Sequence, residues 1–446
     1  MKLRLRYYWD RLRTSYWFVP SLMLIVAVAM SRLAVGLDTQ LGERTLVLGW
    51  GYPGDSQGAS AVLSTIAGSM ITIAGVVFSI TLVALSLASS QFGPRMLRNF
   101  IRDRVNQAAL GAFLATFLYC LLVLRTVRHG PDEGFVPHLA VTLGVVLAVA
   151  SIAMLIFYIH HVATHIQADT LIDAIYAELG SLMDRLYPQA IGEQADAGSP
   201  EVPLALGTPH GFDQPAATVC AECDDYLQAV DGEALMAVAA AHDLVVRVER
   251  RPGDYALCGA RLMSVWPAER LEPEMAESLR ACMVFGAQRT ATQDIEFAID
   301  QLVEIAARAL SPGINDPFTA IACVDRLGSA LARLAQRALP STLRADQNGR
   351  PRIIAAPVSF TDAIDTAFNP IRQCAGNSAA VTIRLLEVLA EIEPLASRSE
   401  DRAALRRHAL MLMRSAETGL AEHDDREDVR RRYLPLLSAL APGKAG

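Results

Sequence analysis

Ala61 to Ser90, AVLSTIAGSMITIAGVVFSITLVALSLASS, is a thirty-residue apolar run without a charged side chain. A run of about 20 apolar residues already spans a bilayer core, so this segment can cross it and continue into the interface. The run carries an ordered pattern. At helical spacing Thr65, Gly68, Thr72, Gly75, Ser79, Ser86 and Ser89 fall near one face, with Ile71, Ile73, Val77, Ile80 and Leu85 mostly elsewhere. Such a face is either a close helix contact or the wall of an aqueous path.

The rest of the 446 residues is divided. The chain is 52% hydrophobic yet 20% charged, with a mean hydropathy of +0.28, which predicts one part in lipid and one in water. The apolar excess lies before about Ala163 and most of the acidic excess after it. A net charge of -7 argues against nucleic acid as a partner, because a nucleic-acid footprint is basic. The seven cysteines are scattered and odd in number, so reduced thiols are expected rather than a disulfide framework. Cys220 and Cys223 form one CxxC without the second ligand pair that a structural zinc site needs. No cofactor is expected.

Four spans are expected, at 17–37, 61–90, 107–124 and 138–160, within a transmembrane domain over 17–162. Residues 1–16, rich in Arg and aromatic side chains, read as a basic interfacial segment. The first span has a rival reading as a cleaved signal peptide, since Ala34-Val35-Gly36 is a small-residue site; a retained helix is favoured. The loop after the second span carries Arg95, Arg98, Arg102 and Arg104 against Asp103, whereas Asp38 to Gly58 is acidic. The positive-inside rule then puts both termini in the cytoplasm, with the protein in a bacterial inner membrane.

Beyond the spans, 163–187 reads as a helical extension of the fourth, ended by Pro188, and 188–215 as a Gly, Ala and Pro-rich linker. Residues 216–267 alternate as short strands around one helix and predict a small β-barrel-like unit; the pattern PGDYALCGARLMSV resembles half of a lipoyl or biotinyl barrel but lacks a modifiable lysine at its tip. Residues 268–446 predict a cytoplasmic helical domain, with a strand from Ile353 to Val358. The expected fold class is therefore an α-helical integral membrane protein of four transmembrane helices with a C-terminal cytoplasmic α+β domain.

Arg289 to Leu327, RTATQDIEFAIDQLVEIAARALSPGINDPFTAIACVDRL, is the densest polar stretch. Asp316 followed by Pro317 reads as the cap and first residue of a helix, and Asp300, Glu304 and Arg308 as a solvated salt-bridge ladder. A binding site would form instead if Arg289, Asp294, Asp300, Asn315 and Asp316 converged around the turn. Together with Gly75-Val76-Val77-Phe78-Ser79, Ser89-Ser90-Gln91-Phe92-Gly93-Pro94-Arg95, Ile159-His160-His161, Tyr226 to Asp231 and Arg251-Pro252-Gly253-Asp254, this stretch resembles a family of bacterial predicted membrane proteins, domain-of-unknown-function family 2254. The resemblance covers essentially the whole chain. It implies an integral membrane protein with a cytoplasmic C-terminal domain, and no activity or catalytic residue.

Chemistry has few other footholds. His161, His165 and Asp169 share a helix face at metal-ligand spacing, but ordinary interfacial histidines explain them as well. No P-loop, nucleophile elbow, HExxH or kinase signature is present, and the spans hold no acidic residue at mid-membrane. The sequence thus leads away from an enzyme and toward two readings. One is a homo-oligomeric channel-like or transport protein for an ion or small ligand. Its second span lines the axis, and its cytoplasmic mouth is formed by Arg95, Arg98, Arg102 and Arg104. The other is a non-conducting sensor or scaffold, in which the small residues serve close packing and the cytoplasmic domain binds a protein or small ligand.

Overall fold

The computed structural model describes residues 16–41, 52–93, 103–128, 135–165, 167–187 and 215–441. The chain divides into two compact units, Met1–Thr170 and Leu171–Gly446. The first contains α1 (Phe18–Leu41), α2 (Ser56–Phe92), α3 (Arg104–Leu124) and α4 (His138–His165). Each is long and apolar enough to cross a bilayer, and each runs a few residues beyond the bounds that hydropathy alone suggests. Side-chain caps account for part of that extension, because Asp55 accepts from Gly58 N and Asp103 from Val105 N, both at 2.9 Å.

α3 is the central helix and touches the other three. Its small and hydroxylated positions are used inward. Gly111 admits Pro20 and Met23 of α1, and a Cβ there would lie 3.2 Å from Pro20 Cα. Thr116 meets Ser151 of α4 at 3.0 Å, and the Tyr119 hydroxyl donates to Ala140 O at 2.9 Å. Buried hydroxyls need such partners in an apolar solvent. Asp38, near the end of α1, accepts from both Leu139 N and Ala140 N at 2.9 Å, so one helix caps the start of another 100 residues away.

Instead of one continuous helix, α4 stops at His165 and α5 (Ala168–Leu186) begins. Gln167 N reaches back only three residues, to Thr164 O at 3.4 Å, and the Thr170 hydroxyl also donates to that carbonyl. The α-helical ladder needs a four-residue reach, so it is interrupted here. Ile172, Ile175, Leu179 and Leu182 of α5 are buried.

The second unit corrects the expected β-barrel. Its strands form two open sheets, one of β1 (Ala217–Cys220), β5 (Arg261–Trp266), β3 (Val245–Val248), β8 (Pro351–Ile354) and β7 (Leu343–Ala345), in that order, the other of β4 (Tyr255–Ala256), β2 (Asp225–Val230) and β6 (Met283–Gly286). A barrel requires every edge to be paired around a ring. Here the free edge of β3 is taken in parallel by β8, with Val246 opposite Ile353, from about a hundred residues downstream. Residues 216–267 are thus not a self-contained fold. Met283 to Gly286 is strand β6, paired with β2, and the helix α7 (Pro273–Arg280) stops before it. Between β2 and β3 lies α6 (Gly232–Ala241). Leu235, Leu244, Val246, Leu262, Met263, Val265 and Ile353 form the core of this β layer.

The remaining helices are α8 (Ile295–Ala309), α9 (Pro317–Ala335), α10 (Phe360–Cys374), α11 (Ala379–Ile392), α12 (Ser399–Gly419) and α13 (His423–Ala439). Each carries an apolar stripe of helical period, and α8, α9, α10 and α13 have a side chain that caps their start. Ser359 and Asp362 form a reciprocal capping box at α10, and Asp316 caps α9 through Phe318 N and Thr319 N.

Candidate functional site

The polar stripe of α2 lies on the outside of the four-helix unit. Thr65, Gly68, Thr72, Gly75, Ser79 and Ser86 are exposed and Ser89 half-buried. The face that α2 gives to its own unit is instead Ala59, Leu63, Ala67, Met70, Ala74, Val77, Ala84 and Ala88, all buried. At about 100° per residue the two faces are nearly opposite. The inner face is pinned to α4, where the Thr81 and Tyr158 hydroxyls lie 2.7 Å apart and Tyr158 donates to Val77 O. On the outer face nothing lies within 4 Å of a Cβ built on Gly68 or Gly75. Thr65 and Thr72 donate to the carbonyls of Ala61 and Gly68, at 2.8 and 2.9 Å. From Thr65 to Ser86 the stripe covers about 32 Å of helix, close to the full thickness of a hydrocarbon core.

Of the expected basic mouth, Arg95, Arg98 and Arg102 lie outside the described residues, and Arg104 is exposed at the start of α3. His161 Nε2 sits 2.6 Å from Asp103 Oδ2 at the start of α3, and its ring stacks on Phe157. Asp169 is exposed on α5, and the side chain of His165 lies outside the described residues. Among the described residues no cluster of His, Cys, Asp or Glu could hold a metal ion.

The polar motif of the second unit divides into two places. Arg289 clamps Asp294 with two bonds, of 2.8 and 3.0 Å, and reaches Asp300 with a third of 2.7 Å. Asp294 is buried and also caps α8 through Phe297 N at 2.9 Å. Burial opposes the charge on Arg289, but the two carboxylates hold its pKa above the ordinary arginine value. Gly253, at φ +104°, lies against this carboxylate, so that a Cβ there would be 2.2 Å from Asp294 Oδ2. Next to it, Arg251 pairs with Asp362 at 3.0 Å. Gln293 donates to Val230 O and accepts from Val230 N, at 3.1 and 2.9 Å, and Gln228 donates to Gln288 O. The Tyr226, Arg251 and Arg289 sequence blocks therefore meet where β2 is joined to α8. Burial raises the Glu296 carboxyl above its ordinary value there, against a hydrogen bond from Thr366.

Asn315 and Asp316 are at the other end of α8, about 22 Å away by helix rise. They do not converge with Arg289, Asp294 and Asp300. Asn315 holds φ at +51°, and Asp316, kept below the usual carboxylate range by the Thr319 hydroxyl, caps α9. Three further polar features went unread in the sequence: the Asp38 cap, the Gly253 contact, and His408. The last is fully buried on α12, with Nε2 2.8 Å from Asp365 and Nδ1 without a partner among the described residues. Long-range pairs of this kind have no local sequence signal.

The family model of predicted membrane proteins known as domain-of-unknown-function family 2254 matches residues 13–391. Uncharacterized proteins of Mycobacterium bovis and Mycobacterium tuberculosis are each 33% identical over 426 residues, covering 94% of this chain and 79% of theirs. No solved structure matches the chain. The chain belongs to this family of predicted membrane proteins.

Proposed function

From that membership we propose that the protein is a homo-oligomeric, channel-like or transport protein of the bacterial inner membrane, with the outer face of α2 lining the common axis and the α+β unit regulating it. Both termini lie on the cytoplasmic side, as the arginine-rich α2–α3 connection requires. The observation that supports this reading is the open face of α2. Glycine costs about 1 kcal/mol relative to alanine in a helix interior, and in lipid an apolar surface gives no drive for association. Two glycines and four hydroxyl residues on a face that its own unit leaves uncovered make sense against other copies of the same helix.

A second reading has its own support. Thr65 and Thr72 already satisfy their hydroxyls within the helix, so the face needs no water and also suits a closely packed, non-conducting scaffold or sensor. The deciding measurement is the copy number of full-length protein in native lipid nanodiscs, followed by ion flux in liposomes. More than one copy and a measurable flux are expected. Gly75→Leu should leave an assembled protein whose flux is lost. A single copy per particle rejects both forms of assembly. An oligomer without flux under any gradient, tension or pH rejects the channel and leaves the scaffold.

A further inference from the structure

The sequence offers one CxxC, Cys220 and Cys223, and the fold brings a third thiol to it from another loop. Cys258 Sγ lies 3.6 Å from Glu222 O, the carbonyl of the peptide bond that leads into Cys223. With that oxygen about 2.8 Å from the next Cα across a trans peptide, Cys258 Sγ is at most about 6.4 Å from Cys223 Cα. A thiol sulfur stands about 2.8 Å from its own Cα, so turning the Cys223 side chain toward its neighbour brings the two sulfurs to about van der Waals contact.

The two loops are laced together on either side of these thiols. Ala221 N donates to Ala260 O at 2.9 Å and Gly259 N to Ala221 O at 2.8 Å. Cys258 N donates to Asp224 Oδ1 at 2.7 Å, and the Tyr255 hydroxyl to Asp224 O at 3.2 Å. Gly259, at φ +81°, turns the chain back directly after Cys258. Cys223 and Cys258 are both exposed, so an oxidant reaches them. Desolvation of its sulfur, then the Asp225 and Asp224 carboxylates and the Cys258 thiol, push the Cys223 thiol up. A thiol held protonated attacks slowly, which leaves Cys258 to react first and Cys223 to resolve. The rival pair is the CxxC itself, but Cys220 is half-buried in β1.

We infer that Cys223 and Cys258 form a reversible oxidation site, joined as a disulfide by a hydroperoxide and parted by a dithiol. The Cys258 thiolate attacks the outer oxygen of ROOH, the O–O bond breaks, and ROH leaves with the proton that the thiol released. The Cys223 thiol then attacks the sulfenic sulfur of Cys258, and hydroxide departs as water with the Cys223 proton. In all, two thiols lose two electrons and two protons, and the hydroperoxide becomes ROH and water.

The test treats full-length protein in lipid nanodiscs with a slight excess of hydrogen peroxide and blocks the remaining thiols with N-ethylmaleimide. Digestion with Glu-C, which cuts after Glu222 and so separates Cys220 from Cys223, is followed by mass spectrometry. A peptide pair linked through Cys223 and Cys258 is expected, and dithiothreitol should part it. N-ethylmaleimide labelling at both should fall at least about tenfold below that at Cys374, the exposed thiol that ends α10. Cys220→Ala should keep the link, and Cys223→Ser should leave Cys258 as a sulfenic acid captured by dimedone. Labelling of Cys223 and Cys258 as complete as that of Cys374 overturns the site. So does a link from Cys220 to either of them.

Discussion

Gly253 is the position at which a single added carbon should do most damage. It combines a φ of +104° with a Cβ site 2.2 Å from the buried Asp294 carboxylate, so Gly253→Ala meets backbone strain and a displaced ion pair at once. The expected loss is roughly 2–4 kcal/mol, checked by chemical unfolding followed through the α+β unit. A second residue sets a pH dependence. Burial holds the His408 imidazole below its ordinary value despite the Asp365 hydrogen bond, with Arg407 and Arg372 adding to the effect. The unfolded chain then binds the proton first, so stability should be complete above about pH 6.5 and decline as pH falls below it, by no more than about 1.4 kcal/mol per unit. His408→Phe should flatten that slope over the same window in thermal unfolding. A slope that survives the substitution would assign it to another group. Neither residue announced itself in the sequence. A glycine in a Pro-Gly-Asp turn and a histidine in an arginine-rich helix both read as surface, and only the fold supplies Asp294 and Asp365 as their neighbours.

Among the helices of the first unit, the one that touches all the others is α3. Hydropathy located all four within a few residues, since length and lack of charge are local properties. It also separated the two faces of α2, and the structure adds which of them is turned outward. What local pattern could not supply was the partner of each strand. β8 joins β3 across about a hundred residues, and a period-two pattern fixes which side chains share a face but not which strand lies alongside. The barrel expectation failed for that reason. The link from α1 to α4 is open to a direct check. Asp38→Ala removes both acceptors for Leu139 N and Ala140 N and should lower stability in detergent micelles by about 1–2 kcal/mol, with Asp38→Asn intermediate. Equal losses for the two variants would show that charge, not the paired acceptors, matters.

As a whole the molecule joins a unit of apolar helices to an α+β unit with its own buried core, including the β layer around Val246 and Met263. A fragment starting at Leu171 should therefore fold without the spans and give a single cooperative melt by circular dichroism; a fragment that stays unfolded would mean that its core depends on the first unit. The division also explains the uneven legibility of the candidate site. The α2 stripe could be read because one helix carries all of it, whereas the residues of the Arg289 motif, read as a capped hairpin or a converging site, lie at either end of α8. The side-chain amide of Gln293 has a consequence for how copies of the second unit behave in solution. By occupying both polar groups of Val230 it stands in for the peptide of a neighbouring strand, and so closes a stretch of β2 that β4 leaves uncovered. An open strand edge is a template for misassociation. The side-by-side assembly proposed for α2 would give particular reason to keep that edge shut.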